Sequence, residues 1–255
     1  MLAVWLVIIG VIIYMTLTVS VSVSERRLPV YRVVTEDKKV AVTFNCAWND
    51  SVTDSILNTL KEKNVRCTFF FVGDYVRKYP EDVRRIINAG HEAANHSDRH
   101  LSPSKQSYAE LVADIASCND EIFRLTGKAC KLYRAPSGEY TNDAIAAAKS
   151  LGMTAVQWNV DSIDWKDKTP AEILERIKTR TVDGSIILFH TGKKNTAEAL
   201  PEVIDFLQKS GYTLVTVSEL LPDGDYELLH DGAAKKLSET QENKNGTAAD
   251  KTAEP

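Results

Sequence analysis

The chain has 255 residues, of which 44% are hydrophobic and 26% charged, with a formal net charge of −4. Such a length accommodates one large domain or two small ones, and the composition is that of an ordinary globular protein with a sizeable core. The slight negative balance gives no electrostatic reason to expect nucleic acid, which calls for a basic face.

From Leu2 to Ser24 there is no charged residue. The stretch LAVWLVIIGVIIYMTLTVSVSVS has no polar face and is long enough to cross a bilayer, which takes about 20 apolar residues. A secretory signal is the alternative: Ser22 and Ser24 stand at plausible cleavage spacing, although a basic n-region is missing. Arg26 and Arg27 follow the span, and by the positive-inside rule alone they would hold the next domain in the cytoplasm. Residues 1–24 are therefore expected to form an apolar anchor or signal helix, and 25–37 a linker.

Between Lys38 and Leu221 β-rich runs alternate with amphipathic stretches. Strands are predicted at 40–44, 67–72, 91–95, 131–134, 155–160, 185–189 and 213–217. Helices are predicted at 53–64, 75–89, 107–125, 142–151, 170–181 and 196–209. In the last helix Leu200, Val203, Ile204 and Leu207 share one face, away from Glu198, Glu202 and Lys209. Strand–helix alternation implies a parallel sheet, and about seven such units suggest an α/β barrel, imperfectly closed, over residues 38–222. No Gly-x-Gly-x-x-Gly follows the first strand, so a dinucleotide fold has little support. Residues 223–255 are rich in Lys, Glu, Asp, Asn, Thr and Ala and read as a disordered polar tail. Cys46, Cys67, Cys118 and Cys130 have no Cys-x-x-Cys spacing, which disfavours a zinc knuckle or thioredoxin-like site. Cys118 and Cys130 are candidates to pair outside the cell.

In parallel α/β folds the chemistry sits at the carboxyl ends of strands. Those ends are unusually polar here. The first strand runs into Asn45, Cys46, Trp48 and Asp50. NHSDRH carries His96 and His100, whose spacing lets two imidazoles face one way on a helical turn and share a metal. Asp50 is the candidate third ligand, and two histidines with one carboxylate leave a position open for water, as in hydrolytic sites. His190 ends the sixth strand, with Asp161 and Asp164 next door. A carboxylate beside an imidazole fixes its tautomer and suits it to general acid work. One of these two acids is expected to serve only in turn formation. Arg134 can orient a carboxylate through two hydrogen bonds, and the Pro-Ser-Gly turn after it can offer an N–H to an oxyanion.

TFNCAWND, HSDRH, RAPSG, DSIDW and LFH, in this order, resemble the five motifs of the polysaccharide deacetylase family, the NodB-homology domain of carbohydrate esterase family 4. The Trp-containing first motif is most similar to the branch found in spore-forming bacteria. The resemblance implies a distorted (β/α)7 barrel and a divalent metal, zinc first, with Co2+, Ni2+ or Mn2+ as alternatives. It also implies removal of acetyl groups from N-acetylated cell-wall or chitin-like glycan. The barrel would lie outside the cytoplasm, tethered to the membrane if the N-terminal segment is uncleaved. By the same resemblance Asp50, His96 and His100 would hold the metal and Arg134 would brace the first-motif acid. The N–H near Ser137 would bind the oxyanion. His190, tuned by Asp161 or Asp164, would protonate the leaving amine, and Trp165 and Leu188 would wall the acetyl pocket. One departure stands out: the family's base is the aspartate directly after TF, and here that residue is Asn45, whose amide cannot accept a proton from water.

The leading expectation is a metal-dependent N-deacetylase, slowed by the missing base. The competing one is a glycan-binding or structural wall protein that kept the cage and lost the chemistry. A glycoside hydrolase using paired carboxylates is a third, weaker one, because it gives His96 and His100 no role.

Overall fold

The computed structural model describes residues 26–237. The chain enters through a short strand, β1 (Arg32–Val33), and runs into β2 (Lys39–Cys46). Then follow α1 (Thr53–Glu62), β3 (Thr68–Phe71), α2 (Gly73–Lys78), α3 (Pro80–Asn88), β4 (Glu92–Asn95), α4 (Tyr108–Thr126), β5 (Leu132–Tyr133) and α5 (Asn142–Ser150). The second half holds β6 (Thr154–Ala155), β7 (Val160–Asp161), α6 (Pro170–Arg180), β8 (Ile186–His190), α7 (Lys194–Lys209), β9 (Thr213–Leu214), α8 (Val217–Leu220), β10 (Tyr226–Leu228) and β11 (Ala233–Lys236).

The main sheet is parallel and curled, in the order β6-β5-β4-β3-β2-β8-β7, with β9 also paired to the start of β2. It is the distorted (β/α)7 barrel expected from the sequence. Side-chain alternation along each strand assigns the two faces. Val40, Val42, Phe44 and Cys46 of β2 pack outward under the helices with Phe69, Phe71, Ile187 and Phe189. Ala41, Phe70, Ala94, Leu132 and Ile186 form a second apolar cluster that fills the barrel interior. Above that plug the interior positions of β2 become Thr43 and then Asn45, whose register partners on β8 are Leu188 and His190. The same two-residue period that buries Phe44 therefore delivers Asn45 and His190 side by side to the carboxyl end.

Local chemistry explains where the elements stop. The predicted helix over 75–89 is two helices, because Pro80 has no N–H to continue the first and its fixed φ suits the first position of the next. Ser107 and Glu110 form a capping box on α4, and Gly127 ends it with a left-handed φ of +69°. The predicted strand over 155–160 is divided into β6 and β7, and the one over 213–217 yields to α8, capped by Thr216 and Glu219. All four cysteines are buried free thiols, so Cys118 and Cys130 are not paired here; Cys118 donates instead to the Phe71 carbonyl at 3.3 Å.

Two boundaries are corrected. The segment expected as a linker is woven into the barrel: Val30 bridges Val156, Arg32 bridges Ser185, and β1 runs parallel to β11. The polar stretch after Pro222 does not unravel at once, since β10 and β11 pair antiparallel and join β1. Ala233 and Ala234 are fully buried there, a contribution that their small side chains hide from an apolar count. Gly184 has φ +77°, and a Cβ on it would meet the Val33 carbonyl oxygen at 1.9 Å, so the entering strand can approach only a glycine. The expected apolar helix at 1–24 and the polar residues 238–255 lie outside the described residues. Among the described residues no helix is long and apolar enough to cross a membrane.

Candidate active site

A cleft of about 340 Å3 opens at the carboxyl end of the barrel, lined by Asn45, Ala47, Trp48, His96, His100, Ser137, Trp158, Asp161, Trp165, Leu188, His190 and Lys193. A larger groove of about 960 Å3 lies at the base beside Arg26, Lys149 and Tyr226, but its lining has no histidine, carboxylate or cysteine. The chemistry is in the smaller one.

The best-engaged group is Asp164. DSIDW makes a tight turn in which the Asp161 side chain accepts from the Ile163 N–H at 2.8 Å and Ile163 adopts a left-handed φ of +57°. The turn places Asp164, 1% exposed, beneath His190. Its Oδ1 accepts from His190 Nδ1 at 2.8 Å; its Oδ2 accepts from the His190 N–H at 2.7 Å and from Thr196 Oγ1 at 2.6 Å. Burial, the largest single influence, pushes the carboxyl upward, but the His190 and Thr196 contacts together outweigh it and hold the acid below its usual range. With Nδ1 bound to a carboxylate, His190 keeps its proton there and presents Nε2 to the cleft. Of the two acids expected beside His190, Asp164 is its partner and Asp161 is the turn former, set on the cleft wall.

Arg134 forms the other side. It is fully buried, its guanidinium carbon 3.8 Å from the Phe70 ring centroid. Its hydrogen bonds go to neutral oxygens: Nη1 donates to Thr43 Oγ1 at 3.0 Å and to Asn45 Oδ1 at 2.9 Å, and Nη2 to the Gln157 carbonyl at 3.2 Å. Burial without a facing anion pushes this guanidinium well below its ordinary range. The acid that Arg134 was expected to brace is an amide.

His96 and His100 stand together, ring centroids 5.0 Å apart and nearly perpendicular. They lie on a loop and not on the helical turn expected from their spacing. Ser97 (φ +70°) and His100 (φ +54°) are left-handed, and Asp114 on α4 holds the loop by accepting the Asp98 N–H at 3.0 Å. His96 Nδ1 donates to the Arg134 carbonyl at 2.8 Å, which leaves Nε2 as a bare acceptor, buried and without a partner. Burial, with help from His100, drives this imidazole well below its usual range and keeps it neutral.

Asp50 does not join them. Its carbonyl accepts from the Thr53 N–H at the start of α1, its charge acts on Tyr75, Lys78 and Asp82, and it is absent from the cleft lining. Among the described residues no three His, Cys, Asp or Glu side chains are gathered closely enough to hold a metal. The reason is the extra length of the first motif. Ala47 and Trp48 turn into the cleft, and the chain then carries Asp50 away to the helix. Of the three expected ligands, His96 fits a divalent metal through its bare Nε2 and backbone-anchored Nδ1, and His100 stands beside it. The third, Asp50, does not fit.

Ser137 sits at the tip of the Pro136–Gly138 turn with φ +57°, exposed at the rim. Leu188 and Trp165 both line the cleft, the first buried and the second 43% exposed. Trp48, Trp158 and Lys193 also line it and were not foreseen as site residues. Trp48 stacks on His190 with centroids 5.0 Å apart, and Lys193 Nζ lies 5.2 Å from the Trp48 ring centroid. The only sequence signal for Trp48 was a large aromatic standing just past a strand end and before the polar pair Asn49 and Asp50.

Residues 32–156 match the family model for polysaccharide deacetylase. The peptidoglycan-N-acetylmuramic acid deacetylase PdaA of Bacillus subtilis is 31% identical over 191 residues, 73% of each chain. The chain belongs to the polysaccharide deacetylase family. A second family member, the peptidoglycan-N-acetylglucosamine deacetylase PgdA of Listeria monocytogenes, is 33% identical over 208 residues; this is 79% of the present chain but 44% of PgdA. Among solved structures, BA3943 of Bacillus anthracis, a pseudoenzyme of carbohydrate esterase family 4, superposes with a TM-score of 0.73 at 31% identity, covering 75% of this chain and 68% of BA3943. A BA3943 mutant with restored enzymatic activity superposes equally well. Membership of this deacetylase family thus spans both working enzymes and at least one member without activity.

Proposed function

We propose that the protein is an N-deacetylase of cell-wall glycan, acting outside the cytoplasm and weakened by the loss of its base. The observation that supports this reading is the oriented His190: Asp164 fixes its tautomer and leaves its Nε2 for a cleft that His96 also lines. An acetamido group fits between them, its methyl against Leu188 and Trp165 and its carbonyl oxygen toward the N–H near Ser137. His190 Nε2 takes a proton from water as the water oxygen bonds to the acetyl carbon. The same nitrogen then gives that proton to the sugar nitrogen as the C–N bond breaks, releasing acetate and an amine. Asn45, held by Arg134, cannot share the first step. A divalent metal, zinc or one of Co2+, Ni2+ and Mn2+, would be held by His96 and His100 and would polarise the carbonyl and acidify water.

The second reading, a glycan-binding wall protein without turnover, is favoured by two observations: Arg134 meets an amide where a base would stand, and the similar BA3943 is a pseudoenzyme. Acetate release from N-acetylglucosamine oligomers and from peptidoglycan, with and without added Zn2+ or Co2+, separates the two. Release that disappears in His190→Ala supports the enzyme; tight glycan binding with no acetate under any metal supports the binder.

A further inference from the structure

Lys193 is the one lysine or arginine among the described residues that line the cleft, and the reaction above gives it no work. It lies three residues past His190, at the N-cap of α7. Its Nζ donates to the Trp165 carbonyl at 3.4 Å and lies over Trp48, so its stem closes the cleft between two exposed indoles. Its ion pair is with Asp167, 3.6 Å away and 89% exposed, a pairing that water screens. Asp161 is the acid nearest in role, but one of its oxygens is taken by the Ile163 N–H and its charge is felt by Arg176. Asp164 is fully engaged beneath His190. A partly buried ammonium therefore faces the substrate space without a strong anion of its own.

The chemistry of the substrate says what could answer it. In an N-acetylated pyranose the acetamido nitrogen is on one ring carbon, and the next ring carbon carries an oxygen substituent. That neighbouring substituent is one ring bond from the carbon that carries the amide, so it stays in the cleft that Lys193 lines together with His190 and His96. In N-acetylglucosamine it is a neutral hydroxyl. In N-acetylmuramic acid it is an ether bearing a carboxylate. We propose that Lys193 selects N-acetylated sugar rings that carry this carboxylate, with Trp48 and Trp165 as apolar platforms for the glycan on either side. The proposal rests on the reading of the cleft as the acetamido site.

The test uses the full chain and three tetrasaccharides: a stem-peptide-free peptidoglycan fragment, the same fragment with its carboxylates reduced to alcohols, and an N-acetylglucosamine oligomer. Affinities are measured by calorimetry at low and high salt. The acidic fragment is expected to bind about three- to tenfold tighter than either neutral one, with the gap narrowing as salt rises. Lys193→Gln should erase the gap and Lys193→Arg should retain it. Equal binding of the acidic and reduced fragments by the unaltered protein overturns the proposal while leaving the glycan site standing, as does a gap that survives Lys193→Gln. Failure of all three glycans to bind overturns the reading of the cleft and this proposal with it.

Discussion

Behind one wall of the cleft Asp164 accepts three hydrogen bonds, two of them from His190; behind the other Arg134 has a guanidinium and only neutral oxygens to meet it. Both are buried polar groups at strand ends of the same sheet. The first wall satisfies its charge within itself, with a carboxylate, an imidazole and a hydroxyl that lock one another. The second carries a buried charge that an acid at position 45 would neutralise. A buried ion pair broken on one side commonly leaves a cost of about 3–5 kcal/mol on the other. That the fold tolerates Arg134 over Phe70 and Trp158 shows how much aromatic faces and carbonyl oxygens offset. The asymmetry teaches that the two walls are built independently: the one around His190 is complete, and the one around Arg134 lacks the acid that would complete it.

The largest effect should come from completing the second wall. Asn45→Asp puts a carboxylate at 2.9 Å from Arg134 Nη1 and supplies the missing base. Acetate release is expected to rise by up to about 10²–10⁴-fold, less if His190 already serves as base. Metal content must be measured alongside, because a carboxylate there can itself become a ligand. A folded Asn45→Asp protein that takes up metal and still frees no acetate from any N-acetylated oligomer would mean that the base is not what limits the site, and the binding reading moves ahead.

Breaking the first wall should be costly to stability. Asp164→Ala strands the His190 N–H, His190 Nδ1 and the Thr196 hydroxyl in a buried position, for an expected loss of about 3–5 kcal/mol. Thr196→Val removes one of the donors and should cost about 1 kcal/mol. Urea unfolding of both variants reads the contrast. Similar small losses in the two would show that the apparent interlock contributes little.

How far the sequence announced these walls depends on the kind of signal each residue leaves. The barrel was legible because a parallel strand buried on both faces reads as a nearly continuous apolar run, as in Val40 to Phe44, broken only by Thr43, and because helix stops such as Pro80 and Gly127 act locally. His190 and the two nearby acids were legible as strand-end chemistry. Which acid served was not, since Asp161 and Asp164 differ only in how the left-handed Ile163 turns the chain. Asp50 was misplaced for a similar reason: spacing along the chain does not say that Trp48 occupies the cleft and sends the following residues outward. The pairing of β1 with β11 was invisible because it joins residues some 200 positions apart through two alanines, with register partners such as Arg32 and Ala233.

A second buried imidazole sharpens the comparison at the smallest scale. His190 donates its Nδ1 proton to a carboxylate; His91 Nδ1 instead accepts the Cys67 N–H at 3.2 Å, with its ring tilted against Phe69. Burial, reinforced by the nearby Arg66 charge, lowers His91 from 6.5 to about 4. Between those values the unfolded chain binds a proton that the folded one refuses. Stability must therefore fall as the pH drops from about 6.5 to about 4, by on the order of 3 kcal/mol for this group. His91→Gln can still accept the Cys67 N–H and does not titrate. Denaturant midpoints at pH 7 and pH 4.5 should show the unaltered protein losing about 2–3 kcal/mol more than the variant, since slopes from shared carboxylates cancel. Parallel losses in the two proteins would place the pH sensitivity elsewhere, and the distinction between an imidazole with an acid and one without would lose its energetic meaning.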